Sequence, residues 1–235
     1  MKINKSMKST MSLAAGLALV TSAHAAITLD NTGTISGVTT LAGFDATASD
    51  KLVVLVGGPA DSGGGWTGTE VISGVTYNGI SLIEAVQVQS TGRVAGVFYL
   101  DSADFAGTGD IVVTYAEAMH AANGISAMAL SGTAAGVGPT NGNLGKTATI
   151  AITENGTFVA AASSYNGTPQ SPLTSLNSGN FARAYEENVS AGSYTATFSA
   201  GQATVAAGFT AAVPEPSTTA LLGLGGLALI LRRRK

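Results

Sequence analysis

The 235-residue chain has 11 lysines and arginines against 14 acidic residues, a formal net charge of −3, and no cysteine. Residues 26–214 are far more acidic. They contain 13 of the 14 acidic residues, all but Glu215, and only four cations, which gives a net charge of −9. The four cations are Lys51, Arg93, Lys146 and Arg183. Nucleic acids and anionic lipids need basic surfaces, so this composition excludes both as partners, and the lack of cysteine excludes disulfides and thiolate metal sites.

Residues 1–25 have the three parts of a secretory signal peptide. A basic segment with Lys2, Lys5 and Lys8 precedes the apolar stretch of residues 11–20. Ala23 and Ala25 then supply the small side chains of a cleavage site. The apolar stretch is too short for a retained transmembrane helix. The sequence therefore predicts a signal helix that is removed after Ala25, so that the mature chain begins at Ala26.

Residues 26–212 are predicted to form one all-β domain. They are rich in Thr, Val, Ser and Gly, and glycines separate short apolar or alternating segments. The run at 51–56 is continuously apolar after its first residue, which predicts a central strand buried on both faces. About ten strands of this kind indicate a single antiparallel sandwich of two sheets, similar to a jelly roll. The predicted strands cover residues 51–56, 71–77, 80–89, 93–100, 111–115, 125–131, 147–153, 157–163, 181–185, 194–198 and 203–210.

Asn-Gly pairs predict two of the turns. Asn78-Gly79 supplies the two positive φ angles of a type I′ turn, so residues 71–77 and 80–89 are predicted to form a hairpin. Asn155-Gly156 predicts a second turn, after which the strand at 157–163 returns. Gly142 and Gly145 lie in a segment that resembles a phosphate-binding loop, but a strand rather than a helix follows them, so they are predicted to shape a turn.

Trp66 is the candidate sugar-binding residue. It is the only tryptophan of the chain and lies in a glycine-rich segment that also contains Asp61. An aromatic ring can stack on a sugar while a nearby carboxylate accepts hydrogen bonds from its hydroxyl groups. The alternative is that the indole ring closes one open end of the sandwich.

Three acidic residues, Asp101, Asp104 and Asp110, are a candidate Ca²⁺ site because they bracket a glycine-containing connection. They lack the spacing of an EF-hand loop, and solvated loop carboxylates are the alternative. After removal of the signal peptide His120 is the only histidine, so neither a zinc site with two histidines nor a serine nucleophile with a histidine base in a Gly-x-Ser-x-Gly elbow is indicated. No catalysis and no cofactor are expected.

The last 22 residues have a distinct composition. Pro214, Glu215 and Pro216 precede an uncharged apolar run at residues 218–231, and four cations follow, namely Arg232, Arg233, Arg234 and Lys235. As a helix the run would reach about 21 Å, less than the roughly 30 Å of a bilayer core, although the terminal cations can extend it by reaching the headgroups. The positive-inside rule places those cations in the cytoplasm and the preceding domain outside. The tail therefore predicts a short transmembrane helix that anchors the chain in a membrane, and an ordinary C-terminal tail anchor is one interpretation of it.

This order of Pro-Glu-Pro, apolar helix and arginine cluster resembles the PEP-CTERM sorting signal of Gram-negative bacteria. The resemblance covers residues 213–235. It implies transient anchoring in the inner membrane, recognition by a membrane exosortase, removal of the tail, and delivery to the cell surface or to an exopolysaccharide matrix. Residues 26–212 are also loosely similar to β-sandwich modules of bacterial surface proteins, a resemblance that carries no site.

The function expected from the sequence is that of an exported structural protein of the cell surface or matrix. The secretion machinery and an exosortase are the expected partners, with exopolysaccharide as a further candidate. The alternatives are a carbohydrate-binding module that uses Trp66 and Asp61, and a secreted hydrolase with a carboxylate pair in a cleft.

Overall fold

The computed structural model describes residues 25–59, 71–90, 92–101, 105, 107–116, 123–164, 167–177 and 181–213. In these residues the chain forms sixteen β-strands and no helix, and every pair of neighbouring strands is antiparallel. The predicted all-β class is confirmed. The predicted signal helix at residues 1–25 and the transmembrane helix at 218–231 lie, apart from Ala25, outside the described residues. Within the described part, no helix is long and apolar enough to cross a membrane.

The strands follow one another with mostly short connections. In chain order they are β1 (Thr28–Ser36), β2 (Thr40–Asp45), β3 (Lys51–Pro59), β4 (Ile72–Tyr77), β5 (Ile80–Ser81), β6 (Ile83–Ser90), β7 (Arg93–Asp101), β8 (Thr108–Tyr115), β9 (Gly124–Ser131), β10 (Thr140–Leu144), β11 (Thr147–Ile152), β12 (Thr157–Ser163), β13 (Thr174–Asn177), β14 (Ala182–Val189), β15 (Gly192–Thr197) and β16 (Ala203–Phe209).

The strands form four sheets, where the sequence predicted two. β1 to β9, the first half, form an inner sheet with the order β1-β9-β3-β7-β6 and an outer sheet with the order β2-β8-β4-β5. β10 to β16, the second half, form an inner sheet with the order β10-β16-β12-β14-β13 and an outer sheet of β11 and β15. The two-sheet prediction is therefore wrong in the number of sheets, although antiparallel sheets do pack face to face.

Three apolar clusters hold the four layers together. One cluster lies between the two sheets of the first half, and another lies between the two sheets of the second half. The third, here called the middle cluster, lies between the two inner sheets. Both inner sheets are thus covered on both faces, which is why their strands carry continuous apolar or small side chains instead of a strict alternation with polar residues.

Strand β3 shows this double burial most clearly. Leu52 and Val54 point into the cluster of the first half, whereas Val53 and Leu55 point into the middle cluster, and all four side chains are fully buried. Successive side chains of a strand face opposite sides of its sheet, so an unbroken apolar run needs a partner layer on each side. The prediction of a central strand buried on both faces is confirmed.

The two halves have the same strand order. If β1, β9, β3, β7 and β6 are matched in turn with β10, β16, β12, β14 and β13, the two inner sheets correspond strand for strand. The pair of β2 and β8 then matches the pair of β11 and β15. The fold is therefore an internal duplication, with the copies packed through their inner sheets. No fixed-period repeat is visible in the sequence.

The Asn-Gly turns differ in what they connect. Asn78 and Gly79 have φ angles of 49° and 82°, as a type I′ turn requires, and they join β4 to β5. The predicted second strand of this hairpin is interrupted at the buried Leu82, where the chain passes from the outer sheet to the inner sheet. Asn155-Gly156 does not close a hairpin, because β11 pairs with β15 while β12 lies in the inner sheet.

Gly142 is not a turn residue as predicted, because it lies within β10, opposite Val205. A side chain there would overlap Val88 of β6, so the glycine allows the edges of the two inner sheets to approach closely. Gly145, with a φ of 111°, does lie in the connection between β10 and β11.

Candidate functional site

The two predicted processing points lie next to each other in the fold. Ala25, the last residue of the predicted signal peptide, donates its amide to the carbonyl of Ala212 at 3.1 Å. Ala212 in turn donates its amide to the carbonyl of Gly132 at 2.8 Å, in the connection between the two halves. Ala26 and Val213 are exposed. The chain therefore enters and leaves the described domain at one place.

The sorting residues themselves lie outside the described residues. This applies to the Pro214-Glu215-Pro216 motif, to the apolar run at 218–231 and to the terminal cations Arg232 to Lys235. It applies equally to Ala23 of the predicted cleavage site. Their assignments stay predictions from the sequence.

Trp66 and Asp61 also lie outside the described residues, in the connection between β3 and β4. The chain leaves β3 at Pro59 and is described again from Val71. The sugar-binding assignment of these two residues stays a prediction.

Asp101, a candidate Ca²⁺ ligand, is engaged by a buried lysine. Lys51 and Asp101 are directly paired across β3 and β7, and the Lys51 ammonium donates to a carboxylate oxygen of Asp101. The ammonium also donates to the carbonyl oxygen of Gly136 at 2.7 Å, and the amide of Gly136 donates to Asp101 Oδ2 at 3.0 Å. Both oxygens of this carboxylate thus already have partners within the protein.

Aromatic rings cover the Lys51 ammonium. Its Nζ lies 5.0 Å from the ring centroid of Tyr99 and 5.7 Å from that of Phe209, and the lysine is fully buried. Burial lowers the pKa of Lys51, while the adjacent Asp101 opposes that shift. The arrangement closes one end of the middle cluster, so it fits a structural role for Asp101.

Asp110 lies on a different sheet from Asp101. It is on β8 of the outer sheet, where its Oδ1 accepts a hydrogen bond from the amide of Gly43 at 2.9 Å. Asp104, the third candidate ligand, is outside the described residues. Among the residues that are described, no group of three or more His, Asp and Glu side chains could hold a metal ion. The Ca²⁺ site stays a prediction.

A shallow acidic depression, which the sequence did not single out, lies beside β1 and the connection after β2. Asp30, Asn31, Asp45 and residues 46–49 line it. Asp30 Oδ2 accepts a hydrogen bond from Ser49 at 2.7 Å, and Asp45 Oδ1 accepts bonds from the hydroxyl and amide of Thr47 at 2.7 and 3.0 Å. The bonds from Thr47 lower the pKa of Asp45. These carboxylates therefore stabilise the connection itself.

Comparison with known proteins gives a family match in the C-terminal tail of the chain. Residues 212–235 match the family described as the PEP-CTERM protein-sorting motif. No curated protein and no solved structure was found to match the chain. The match begins at Ala212, where the chain leaves the described domain. The chain therefore carries a PEP-CTERM sorting motif at residues 212–235, which indicates an exported protein that an exosortase sorts toward the cell surface.

Proposed function

We propose that residues 26–212 form a structural, non-enzymatic component of the cell surface or of an exopolysaccharide matrix, delivered by the sorting tail. The observation that carries this proposal is the PEP-CTERM motif of residues 212–235 directly after an all-β domain. The acidic composition of residues 26–214 supports it, because a strongly negative domain stays soluble outside the cell.

The adjacency of the domain ends gives further support. Before processing, a signal peptide and a sorting tail would both hold the chain at the membrane. Because Ala25 and Ala212 are hydrogen-bonded neighbours, both segments can extend from one end of the folded domain toward one membrane surface. The domain can therefore fold outside the membrane while both processing points stay close to it.

We expect two cleavages when the full chain is produced in its native host. The test is the intact mass of the protein in separated membrane, surface and medium fractions. A released form that begins at Ala26 and lacks the cations Arg232 to Lys235 is expected. As a control, replacement of Pro214, Glu215 and Pro216 by alanine should abolish the second cleavage and keep the chain in the membrane. A wild-type chain that keeps Lys235 and occurs only in membranes would contradict the proposal.

The alternative function is a carbohydrate-binding module that uses Trp66 and Asp61. The sequence supports it through a single tryptophan in a glycine-rich connection with a nearby carboxylate. If this is correct, soluble exopolysaccharide should quench the tryptophan fluorescence in a saturable way, and Asp61→Asn should weaken the effect. An unchanged emission spectrum at high polysaccharide concentration would remove Trp66 from consideration and leave the structural role.

A further inference from the structure

The fold holds the amino group of Lys51 against the carboxyl group of Asp101. Lys51 is the first residue of β3 and Asp101 is the last residue of β7, and the two are direct partners in the antiparallel register. Their side chains meet on the face of the inner sheet that carries the middle cluster, because Tyr99, two residues before Asp101, belongs to that cluster. A nitrogen nucleophile and a carboxyl carbon are therefore neighbours in the folded chain.

The surroundings of Lys51 favour the neutral amine, which is the nucleophilic form of the side chain. The rings of Tyr99 and Phe209 lie 5.0 and 5.7 Å from Nζ, and the side chain has 0% exposure. Burial lowers the pKa of Lys51, although Asp101 opposes the shift. Transfer of one proton from the ammonium to the adjacent carboxylate would remove both charges from this apolar end of the cluster. Desolvated lysines of this kind act as nucleophiles.

The backbone of Gly136 contacts both groups. Its carbonyl oxygen accepts a hydrogen bond from Nζ at 2.7 Å, and its amide donates one to Asp101 Oδ2 at 3.0 Å. A side-chain amide between Lys51 and Asp101 would need the same two partners, an acceptor for its N–H and a donor for its oxygen. The amide of Gly136 is also placed to stabilise negative charge that develops on Oδ2 when the carboxyl carbon is attacked.

We propose that Lys51 and Asp101 condense into an intramolecular isopeptide bond once the chain has folded. The lone pair of Nζ attacks Cγ of Asp101, and the bond between Cγ and Oδ1, the oxygen that contacts Nζ, breaks. Two protons of the ammonium pass to Oδ1, which leaves as water. The third proton stays on Nζ and is donated to the Gly136 carbonyl, while Oδ2 becomes the amide oxygen. One ammonium and one carboxylate thus give one amide and one water, without any oxidant or co-reactant.

The folded chain supplies what this condensation lacks in free solution. A fixed contact between two reacting groups can raise their effective concentration to about 10⁵–10⁸ M. The Asp101 side chain is 31% exposed, so the water can leave on that side while Nζ stays buried. The bond would join two adjacent strands of the inner sheet and close the chain between residues 51 and 101 into a loop. It would give an exported domain without cysteine a covalent cross-link.

The experiment is peptide mapping by mass spectrometry of the purified full-length chain, unfolded in denaturant and digested with trypsin. Trypsin cuts after lysine and arginine, so a chain without the bond yields residues 52–93 and 94–146 as separate peptides. With the bond, Lys51 is no longer cut, and the peptide that continues through it to Arg93 is joined to residues 94–146. This branched product is expected, lighter by one water molecule than its two peptides together. Cleavage after Lys146 in the same digest is the control for complete digestion.

Three variants test the two partners of the bond. Lys51→Arg keeps a cation at this position, but its guanidinium stays protonated and should give no branched product. Asp101→Ala removes the carboxyl carbon that is attacked, so it should give none either. Asp110→Ala is the matched control, because this aspartate contacts Gly43 on the outer sheet, and it should keep the branched product.

Two results would overturn the bond. One is a wild-type digest in which residues 52–93 and 94–146 appear only as separate peptides at their sequence masses, which would leave Lys51 and Asp101 as an ion pair. The other is a branched product that persists in Asp101→Ala, which would assign Lys51 to a different carboxyl group. The wild-type digest decides the proposal even if a variant fails to fold. Neither result depends on the sorting tail, so the bond and the proposed function can fail separately.

Discussion

Replacement of Asp101 by alanine is expected to lower the free energy of unfolding by about 3–5 kcal/mol. The reason is that the variant leaves the Lys51 ammonium buried between Tyr99 and Phe209 without its counter-charge. Only the carbonyl of Gly136 would still accept a hydrogen bond from it. Asp101 itself is 31% exposed, but its loss leaves a fully buried ammonium, which costs far more than the ion pair itself contributes.

Chemical denaturation of three variants tests the source of this loss. Asp110→Ala is the matched control, because this aspartate accepts one backbone hydrogen bond from Gly43 and should cost only about 1 kcal/mol. Lys51→Met removes the buried charge, so Asp101→Ala added to that background should cost much less than in the wild type. An equal cost of Asp101→Ala in both backgrounds would show that the ion pair is not the cause.

Replacement of Phe158 by alanine is expected to cost about 3–5 kcal/mol and to destabilise both halves together. Phe158 is fully buried in the middle cluster, where its ring stacks on that of Tyr185 with a centroid distance of 5.4 Å and an interplanar angle of 6°. Side chains of both inner sheets form this cluster, so a cavity here weakens the contact between the two copies of the duplicated fold.

Two spectroscopic probes can follow this unfolding. The NMR signals of the β3 backbone amides report on the first half, and far-UV circular dichroism reports on all strands. Coincident transitions are expected for the wild type and for Phe158→Ala. Phe198→Ala, which truncates an equally buried phenylalanine in the cluster of the second half, is the matched control. A transition of the β3 signals that neither variant shifts would mean that the halves unfold independently.

Some features of this protein follow from local sequence alone. The sorting tail is recognised as a linear order of Pro-Glu-Pro, apolar run and cations, so no folded context is needed to identify it. Strand β12 was predicted at its observed bounds, because a continuous run of β-branched, aromatic and small residues ends at polar or glycine-containing turns. Asn78-Gly79 likewise determines its own turn, since the φ angles depend on these two residues.

The strands that the sequence failed to predict are edge strands. β1, β2, β10 and β13 each lie at one side of their sheet. An edge strand forms backbone hydrogen bonds with a single neighbouring strand. Its residues therefore need little alternation between apolar and polar side chains. β10, with the sequence TNGNL, has four exposed or polar positions and reads as a loop when taken alone.

Only the tertiary structure decided how many sheets form and which groups meet. Whether a chain reverses within one sheet or crosses to another depends on the layers available to cover its apolar side chains, which local turn chemistry does not specify. For this reason Asn155-Gly156 connects strands of two different sheets instead of closing a hairpin. For the same reason the sequence did not predict the internal duplication, which is visible only in the strand order of the sheets. The pairing of Lys51 with Asp101 and the contact of Arg183 with Gly124 join residues distant in sequence, so they arise only once the layers are stacked.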